Sequence, residues 1–176
     1  MDRAAQEPIL ILLAPGFEES DAITVARRLR RAGLPVVLVG LSANPMRGAY
    51  GLALAPDQTL NQIETDAPRA VVLPRGKAAT CQLAGDPRVH DLLRRVLARG
   101  GYVVALGLTH TILQAAGALG PAGEVVTETL SVLWDGECLN GDRTSVEGQV
   151  IFSEAAGSTR QSARALVSLL QSSPRG

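Results

Sequence analysis

The sequence has few aromatic residues, few cysteines and no long apolar run, and each shortage excludes a class of protein. Aromatic residues make up 3% of the 176 residues, which argues against a stacking platform for single-stranded nucleic acid. The two cysteines, Cys81 and Cys138, are too few for a disulfide framework. The apolar runs are shorter than a bilayer span, and residues 1–8 have no leading apolar stretch. We therefore expect a cytoplasmic protein with no membrane partner.

The chain also lacks net charge, because 17 Lys and Arg residues balance 17 Asp and Glu residues. This balance argues against a protein that mainly neutralises phosphates, so we expect no nucleic-acid partner. The arginines at 27–31 are interpreted as a solvated helix face whose aliphatic stems cover core residues. With 46% hydrophobic residues, the chain is expected to form one domain over 1–176, with flexible ends at 1–7 and 172–176.

Four short apolar runs have the composition of strands that are buried on both faces of a sheet. They are residues 9–13, 36–39, 70–73 and 102–106. Weaker extended signals at 51–55 predict an edge excursion, and those at 124–152 predict a few short strands and turns.

Helical spacing of apolar residues recurs between these runs. Ser20 and Asp21 are suited to cap a first helix, which is predicted to bury Ala22, Ile23, Ala26 and Leu29. Asp86 followed by Pro87 predicts the start of another helix, with an acceptor at the N-cap and a ring suited to the first turn. Further helices are predicted over 111–118 and from residue 157.

This alternation predicts an α/β fold, a flavodoxin-like three-layer sandwich with a mostly parallel sheet and helices on both faces. In such sheets, ligands bind beyond the carboxyl ends of the strands. The candidate site therefore lies in the segments that follow the strands, at 14–19, 74–77, 107–110 and 153–157.

Three of these strand ends carry motifs that together resemble the ThiJ/PfpI superfamily. The motifs read APGFEE at 14–19, LPRG at 73–76 and ALGLTHT at 105–111. That superfamily is class I glutamine amidotransferase-like and includes PfpI-type intracellular proteases and the parkinsonism-associated deglycase. The resemblance runs from Ile9 to about Leu170. It implies the same α/β sandwich and, because oligomers are common in such families, a homodimer.

The residues that differ from the family pattern matter most for function. Most enzymes of the superfamily use a nucleophilic cysteine on a sharp strand-to-helix turn, the elbow, together with a glutamate from the first strand's loop. Residue-by-residue matching places that glutamate at Glu18 and the cysteine at Gly107, and it places a frequent downstream histidine near Glu128. Glycine has no side chain to ionise, so cysteine-dependent chemistry is not expected. The resemblance thus implies a vestigial site formed by Glu18, Gly107 and His110.

Other residues offer little replacement chemistry. Cys81 is interpreted as a small buried hydrophobic residue, and Cys138 is uninformative. His110 follows the elbow, although a packed or solvated histidine at a helix start is the favoured interpretation. No spacing of Cys and His matches a zinc signature, so no metal and no cofactor are expected.

Arg75 is the notable addition, because it stands where the family motif Leu-Pro-Gly-Gly has glycine. Burial would favour the neutral form of Glu18 unless a cation compensates it, and Arg75 is the expected cation, with Glu154 able to share it. Two interpretations remain open: an ion-pair network that fills the former active site, or a site for a carboxylate- or phosphate-bearing ligand. The candidate ligand-binding residues are Glu18, Arg75, Gly76, Gly107, Leu108, Thr109, His110 and Glu154.

The functional hypothesis is a catalytically degenerate protein that binds a small anionic molecule or a protein partner. The alternative is a hydrolase, lyase or glyoxalase-like enzyme that works without covalent catalysis through Glu18, His110 and a water molecule.

Overall fold

The computed structural model describes residues 7–63, 68–119, 126–127, 130–131, 144–153 and 158–172. The predicted flexible ends therefore lie mostly outside the described residues. Glu128, Cys138 and Glu154 also lie outside them.

A mostly parallel sheet forms the centre of the described part of the chain. Its strands are β1 (Ile9–Leu13), β2 (Val36–Gly40), β5 (Gln58–Thr59), β6 (Ala70–Leu73), β7 (Tyr102–Leu106), β10 (Thr144–Glu147) and β11 (Val150–Ser153). Their order across the sheet is β10-β11-β7-β6-β1-β2-β5, and only the β10–β11 pair is antiparallel. Two small antiparallel ribbons accompany the sheet: β3 (Met46–Arg47) with β4 (Ala53–Leu54), and β8 (Val126–Thr127) with β9 (Leu130–Ser131).

The helices form two groups, which follows from the strand order. They are α1 (Glu19–Arg31), α2 (Lys77–Ala84), α3 (Pro87–Ala98), α4 (His110–Ala115) and α5 (Thr159–Ser172). The β1-α1-β2 crossover and the β6-α2-α3-β7 crossover move along the sheet in opposite directions. Because parallel crossovers are right-handed, these helices cover opposite faces. Helix α1 packs against α5, whereas α2, α3 and α4 pack against one another. The predicted fold class is thus confirmed.

Each of the four predicted strands is present, although Val36, Val37 and Leu38 of β2 are only half-buried, and the periodic stripe of α3 is also confirmed. The side chains of that stripe are all buried: Val89, Leu92, Leu93, Val96 and Leu97. The predicted cap is present as well, because the Asp86 carboxylate accepts a hydrogen bond from the backbone N–H of Arg88 at 2.9 Å. Apolar periodicity and a good cap together suffice to define this helix.

Two details of α1 differ from the prediction. The helix begins at Glu19, so Ser20 and Asp21 are not its caps but lie in its first turn, and Asp21 is fully buried. Ile23 is expected in the core but is 45% exposed, because the inward stripe runs through Ala22, Val25, Ala26 and Leu29.

Helix α4 is also shorter than predicted, since it ends at Ala115.

Helix lengths also bear on membrane association. None of the helices within the described ranges combines the length and the apolar character that a membrane crossing requires.

Candidate functional site

The elbow follows β7, where the chain turns through a short 3₁₀ segment, Gly107–Thr109, into α4. Gly107 has φ +63°, which lies in the left-handed region that side-chain-bearing residues rarely adopt. The buried hydroxyl of Thr109 donates a hydrogen bond to the carbonyl of Leu106 at 3.0 Å and so holds the turn. The chain thus makes a sharp strand-to-helix turn here, and glycine meets the backbone requirement of that turn without strain.

The residues after Gly107 are engaged locally or exposed. Nδ1 of His110 lies 3.2 Å from the carbonyl oxygen of Gly107, so this ring nitrogen is occupied by the turn itself. Leu108 is exposed to solvent and brings only apolar atoms. Among the described residues of this turn, none presents a thiol or an activated hydroxyl.

Arg75 lies directly against the elbow. It follows β6 in the segment that leads to α2. A Cβ atom placed on Gly107 would lie 2.7 Å from Cγ and 2.9 Å from Cδ of Arg75. Such distances are well below ordinary carbon–carbon contact, which is about 3.5–4.0 Å. The aliphatic part of Arg75 therefore fills the space that a side chain at position 107 would need.

The guanidinium of Arg75 continues past the elbow to the Asp21 carboxylate. Nε lies 2.8 Å from Oδ2 and Nη2 lies 2.5 Å from Oδ1, which is a bidentate pair. The backbone N–H of Arg75 also donates to Oδ2 at 3.1 Å. The side chain of Asp21 is 0% exposed and that of Arg75 is 18% exposed. The hydrogen bond to Asp21 raises the pKa of Arg75, although burial acts to lower it.

Thr159 completes this cluster from the start of α5. Nη2 of Arg75 donates to the Thr159 hydroxyl at 2.9 Å, and that hydroxyl donates to Oδ1 of Asp21 at 2.6 Å. The three residues, which we call the Arg75 cluster, join α1, the β6–α2 segment and α5. Their polar groups are thus hydrogen-bonded to one another at the carboxyl edge of the sheet, as buried polar groups require.

The carboxylate bound by Arg75 is therefore Asp21 and not Glu18, which corrects the sequence-based expectation. Glu18 precedes α1; its carboxylate accepts a hydrogen bond from the Ser20 hydroxyl at 3.0 Å, and its backbone N–H donates to the Arg75 carbonyl at 2.7 Å. A signal for Asp21 was present in the sequence. It stands four and eight residues before the buried Val25 and Leu29, so its side chain lies on the inward stripe of α1.

The remaining site predictions have mixed outcomes. Gly76 has φ +132° and is the N-cap of α2, beside the first strand's loop. Cys81 is exposed, so its interpretation as a buried residue was wrong. In the described ranges, no three His, Cys, Asp or Glu side chains form a group that could hold a metal ion.

Sequence reasoning missed a second buried carboxylate next to this site. Oε1 of Glu19 accepts hydrogen bonds from the backbone N–H groups of Tyr50 at 2.8 Å and of Leu52 at 3.1 Å. Burial acts to raise the pKa of Glu19, but hydrogen bonds from backbone N–H groups, that of Glu19 itself first and then those of Tyr50 and Leu52, outweigh it and lower the pKa below its ordinary value. Glu19 thereby ties the 48–52 turn to the beginning of α1.

A comparison with protein families places this site in a known context. The model of the DJ-1/PfpI family matches residues 7–169, which is nearly the whole chain. The chain belongs to the DJ-1/PfpI family. The matched range includes Gly107, Arg75 and Asp21.

Individual DJ-1/PfpI relatives agree with this assignment. Protein dj-1beta of Drosophila melanogaster is 35% identical over 109 residues, 61% of this chain and 58% of that protein. The glutathione-independent glyoxalase DJR-1.2 of Caenorhabditis elegans is 33% identical over 115 residues, 65% of this chain and 61% of that protein. These matches span about three-fifths of the relatives' lengths. The crystal structure of Drosophila DJ-1beta superposes with a TM-score of 0.78 at 28% identity and covers 94% of this chain and 90% of that one.

Proposed function

We propose that this chain is a catalytically degenerate DJ-1/PfpI protein that acts by binding a partner and not by covalent catalysis. The single observation that carries the proposal is the position of Arg75, whose Cγ lies 2.7 Å from where a Cβ on Gly107 would be. The elbow thus lacks a nucleophile, and the space for one is occupied.

The chemistry of the elbow supports this proposal. Covalent catalysis at such a turn needs a thiolate or an activated hydroxyl, and Gly107 offers neither. A side chain at position 107 would also meet a left-handed backbone and would have to displace Arg75. Because Arg75 is fastened to Asp21 and Thr159, that displacement would break several hydrogen bonds.

The same geometry favours the ion-pair network over an anion site at Arg75. Nε and Nη2 of Arg75 already donate to the Asp21 carboxylate, and these are donors that a bound phosphate or carboxylate would need. An anion at this place would have to compete with a fully buried internal carboxylate.

We propose a second copy of the chain as the partner. Three large apolar residues near the start of α1 are exposed: Ile23 at 45%, Tyr50 at 82% and Leu52 at 49%. Glu19 holds the backbone of Tyr50 and Leu52 against α1, and Ile23 lies one helical turn after Glu19 on the same face. We call these three residues the α1 patch. Exposed apolar groupings of this kind are typical of protein interfaces.

The alternative, an enzyme that uses Glu18 and His110 without a covalent step, receives less support. Glu18 is hydrogen-bonded to Ser20, and His110 is bonded to the Gly107 carbonyl. The hydrogen bonds and ion pairs of the described residues do not join Glu18 to His110.

Turnover of methylglyoxal tests the proposal, because one relative is a glyoxalase. We expect the wild-type protein to consume methylglyoxal no faster than a matched Glu18→Gln, His110→Ala double variant. A wild-type rate that this double variant abolishes would overturn the proposal and establish the non-covalent enzyme. A rate that Cys81→Ser abolishes would also overturn it, because it would place a reactive thiol outside the elbow.

A further inference from the structure

A groove between α1 and α5, away from the elbow, is lined by four arginines. Arg27, Arg28 and Arg31 line it from α1, and Arg164 lines it from α5. The groove encloses a volume of about 440 Å³. We call it the arginine groove.

The arginines of this groove have no acidic partner among the described residues. Helix α5 contains no Asp or Glu, and the acidic residues of α1, Glu19 and Asp21, lie in its first turn and are already bonded elsewhere. In the ranges that the structure describes, the salt bridges involve none of the four arginines. Positive charges that line one groove repel one another, and an anion between them would relieve that repulsion.

Arg28 adds a second observation. Its Nε atom is buried and has no hydrogen-bond partner within the described part of the chain. A buried donor without an acceptor costs free energy, so native structures rarely leave one unsatisfied. An anion in the groove would provide the missing acceptor once the partly exposed Arg28 side chain turns its Nε–H toward the groove.

A solvated helix face explains part of this arrangement but not all of it. The negative end of the α1 dipole favours arginine at Arg28 and Arg31, which lie at the end of that helix. Arg164 receives no such benefit, because it lies in the second turn of α5. A second groove, beside α3, is different, because its Arg88 and Arg94 are paired with aspartates.

We propose that the arginine groove binds a small molecule that carries two or more phosphate groups. The planar guanidinium matches phosphate oxygens in pairs, and several arginines that converge on one volume favour a multiply charged ligand. The volume of about 440 Å³ lies within the range of small-molecule sites. Ser168 and Gln171 line the same groove and supply further polar groups. This proposal does not rest on the geometry of the elbow.

Titration calorimetry with sodium tripolyphosphate at physiological ionic strength tests this proposal. We expect saturable binding by the wild-type protein and a dissociation constant raised about tenfold or more in Arg31→Gln and in Arg164→Gln, as expected for loss of a charge-assisted contact. The matched control is Arg95→Gln, an exposed arginine of the second groove, which should bind like the wild type. Thermal unfolding without ligand checks that each variant is folded.

Two results would overturn the inference. One is the absence of saturable tripolyphosphate binding by the folded wild-type protein. The other is an equal loss in Arg95→Gln and Arg164→Gln, since that would show a general charge effect and not a site. Arg31 and Arg164 are exposed and lie on different helices, so a folding defect in one variant would leave the other variant to test the groove.

Discussion

A Cβ atom on Gly107 would lie 2.7 Å from Cγ of Arg75, so the side chain of Arg75 fills the space that a side chain at position 107 would need. The glycine at position 107 and the arginine at position 75 are therefore sterically linked. Glycine at position 107 leaves room for the arginine stem, and the stem carries the guanidinium to Asp21. The space beside Gly107 is thereby part of an internal ion-pair network.

The volume shared by Gly107 and Arg75 predicts that Gly107→Ala is destabilising. We expect the left-handed backbone to lower the free energy of unfolding by about 1–3 kcal/mol. The clash with Arg75 should lower it further. Gly117→Ala is a matched control, because Gly117 has φ +66° but has open space where a Cβ would be. Urea unfolding of both variants should show the larger loss for Gly107→Ala.

The same comparison in the Arg75→Gly background isolates the steric part. There, Gly107→Ala should cost no more than Gly117→Ala, since the stem of Arg75 is gone. If the two alanine variants lose equal stability in the wild-type background, Arg75 does not constrain the elbow.

Asp21 and Arg75 should be strongly coupled in stability. Removal of either partner alone, by Asp21→Ala or Arg75→Ala, leaves a largely buried charge without its counterion and is expected to cost about 3–5 kcal/mol. The double variant should lose clearly less than the sum of the two single losses. A double-mutant cycle from urea unfolding measures this coupling.

Asp91 and Arg94 provide the control cycle. Their side chains are 2.7 Å apart but largely exposed, so their coupling should be within about 1 kcal/mol. Equal coupling energies in the two cycles would contradict the claim that burial strengthens the Arg75 cluster.

The lowered pKa of Glu19 predicts that the stability of the protein depends on pH. The pKa of Glu19 is lowered in the folded protein, so the unfolded chain binds the proton more readily. The stabilisation is therefore fully present above the unfolded-state pKa, near 4.5, and is lost as the pH falls through the lower folded-state value. Urea unfolding between pH 7 and pH 3, repeated with Glu19→Gln, should show a smaller acid loss in the variant. Identical pH profiles would rule out this role of Glu19.

The α1 patch predicts that the chain forms a dimer that a charge would disrupt. We expect sedimentation velocity to show a dimer for the wild type and a monomer for Ile23→Asp, because a carboxylate would be desolvated in the interface. Leu108→Asp is the matched control, since Leu108 is also a large exposed aliphatic residue but lies at the elbow. A wild-type monomer, or a dimer that persists in Ile23→Asp, would contradict this assignment of the interface.

Much of the fold was accessible from local patterns. The buried strands were predicted from apolar runs such as Ile9–Leu13, and α3 from its periodicity and its Asp86 cap. Each of these signals is contained in a few neighbouring residues, so it can be recognised without knowledge of long-range contacts. The absence of a thiol at the elbow was also readable, since Gly107 follows a predicted strand in a recognisable motif.

The partner of Arg75 was decided only by tertiary structure. Arg75 is separated by 54 residues from Asp21 and by 84 residues from Thr159. Which acid meets Arg75 depends on where α1 begins, because a start at Glu19 turns Asp21 inward and leaves Glu18 ahead of the helix. A shift of one residue rotates a helical side chain by about 100°, and local sequence signals do not define helix starts that closely. The long-range packing of three segments at the carboxyl edge of the sheet selects Asp21.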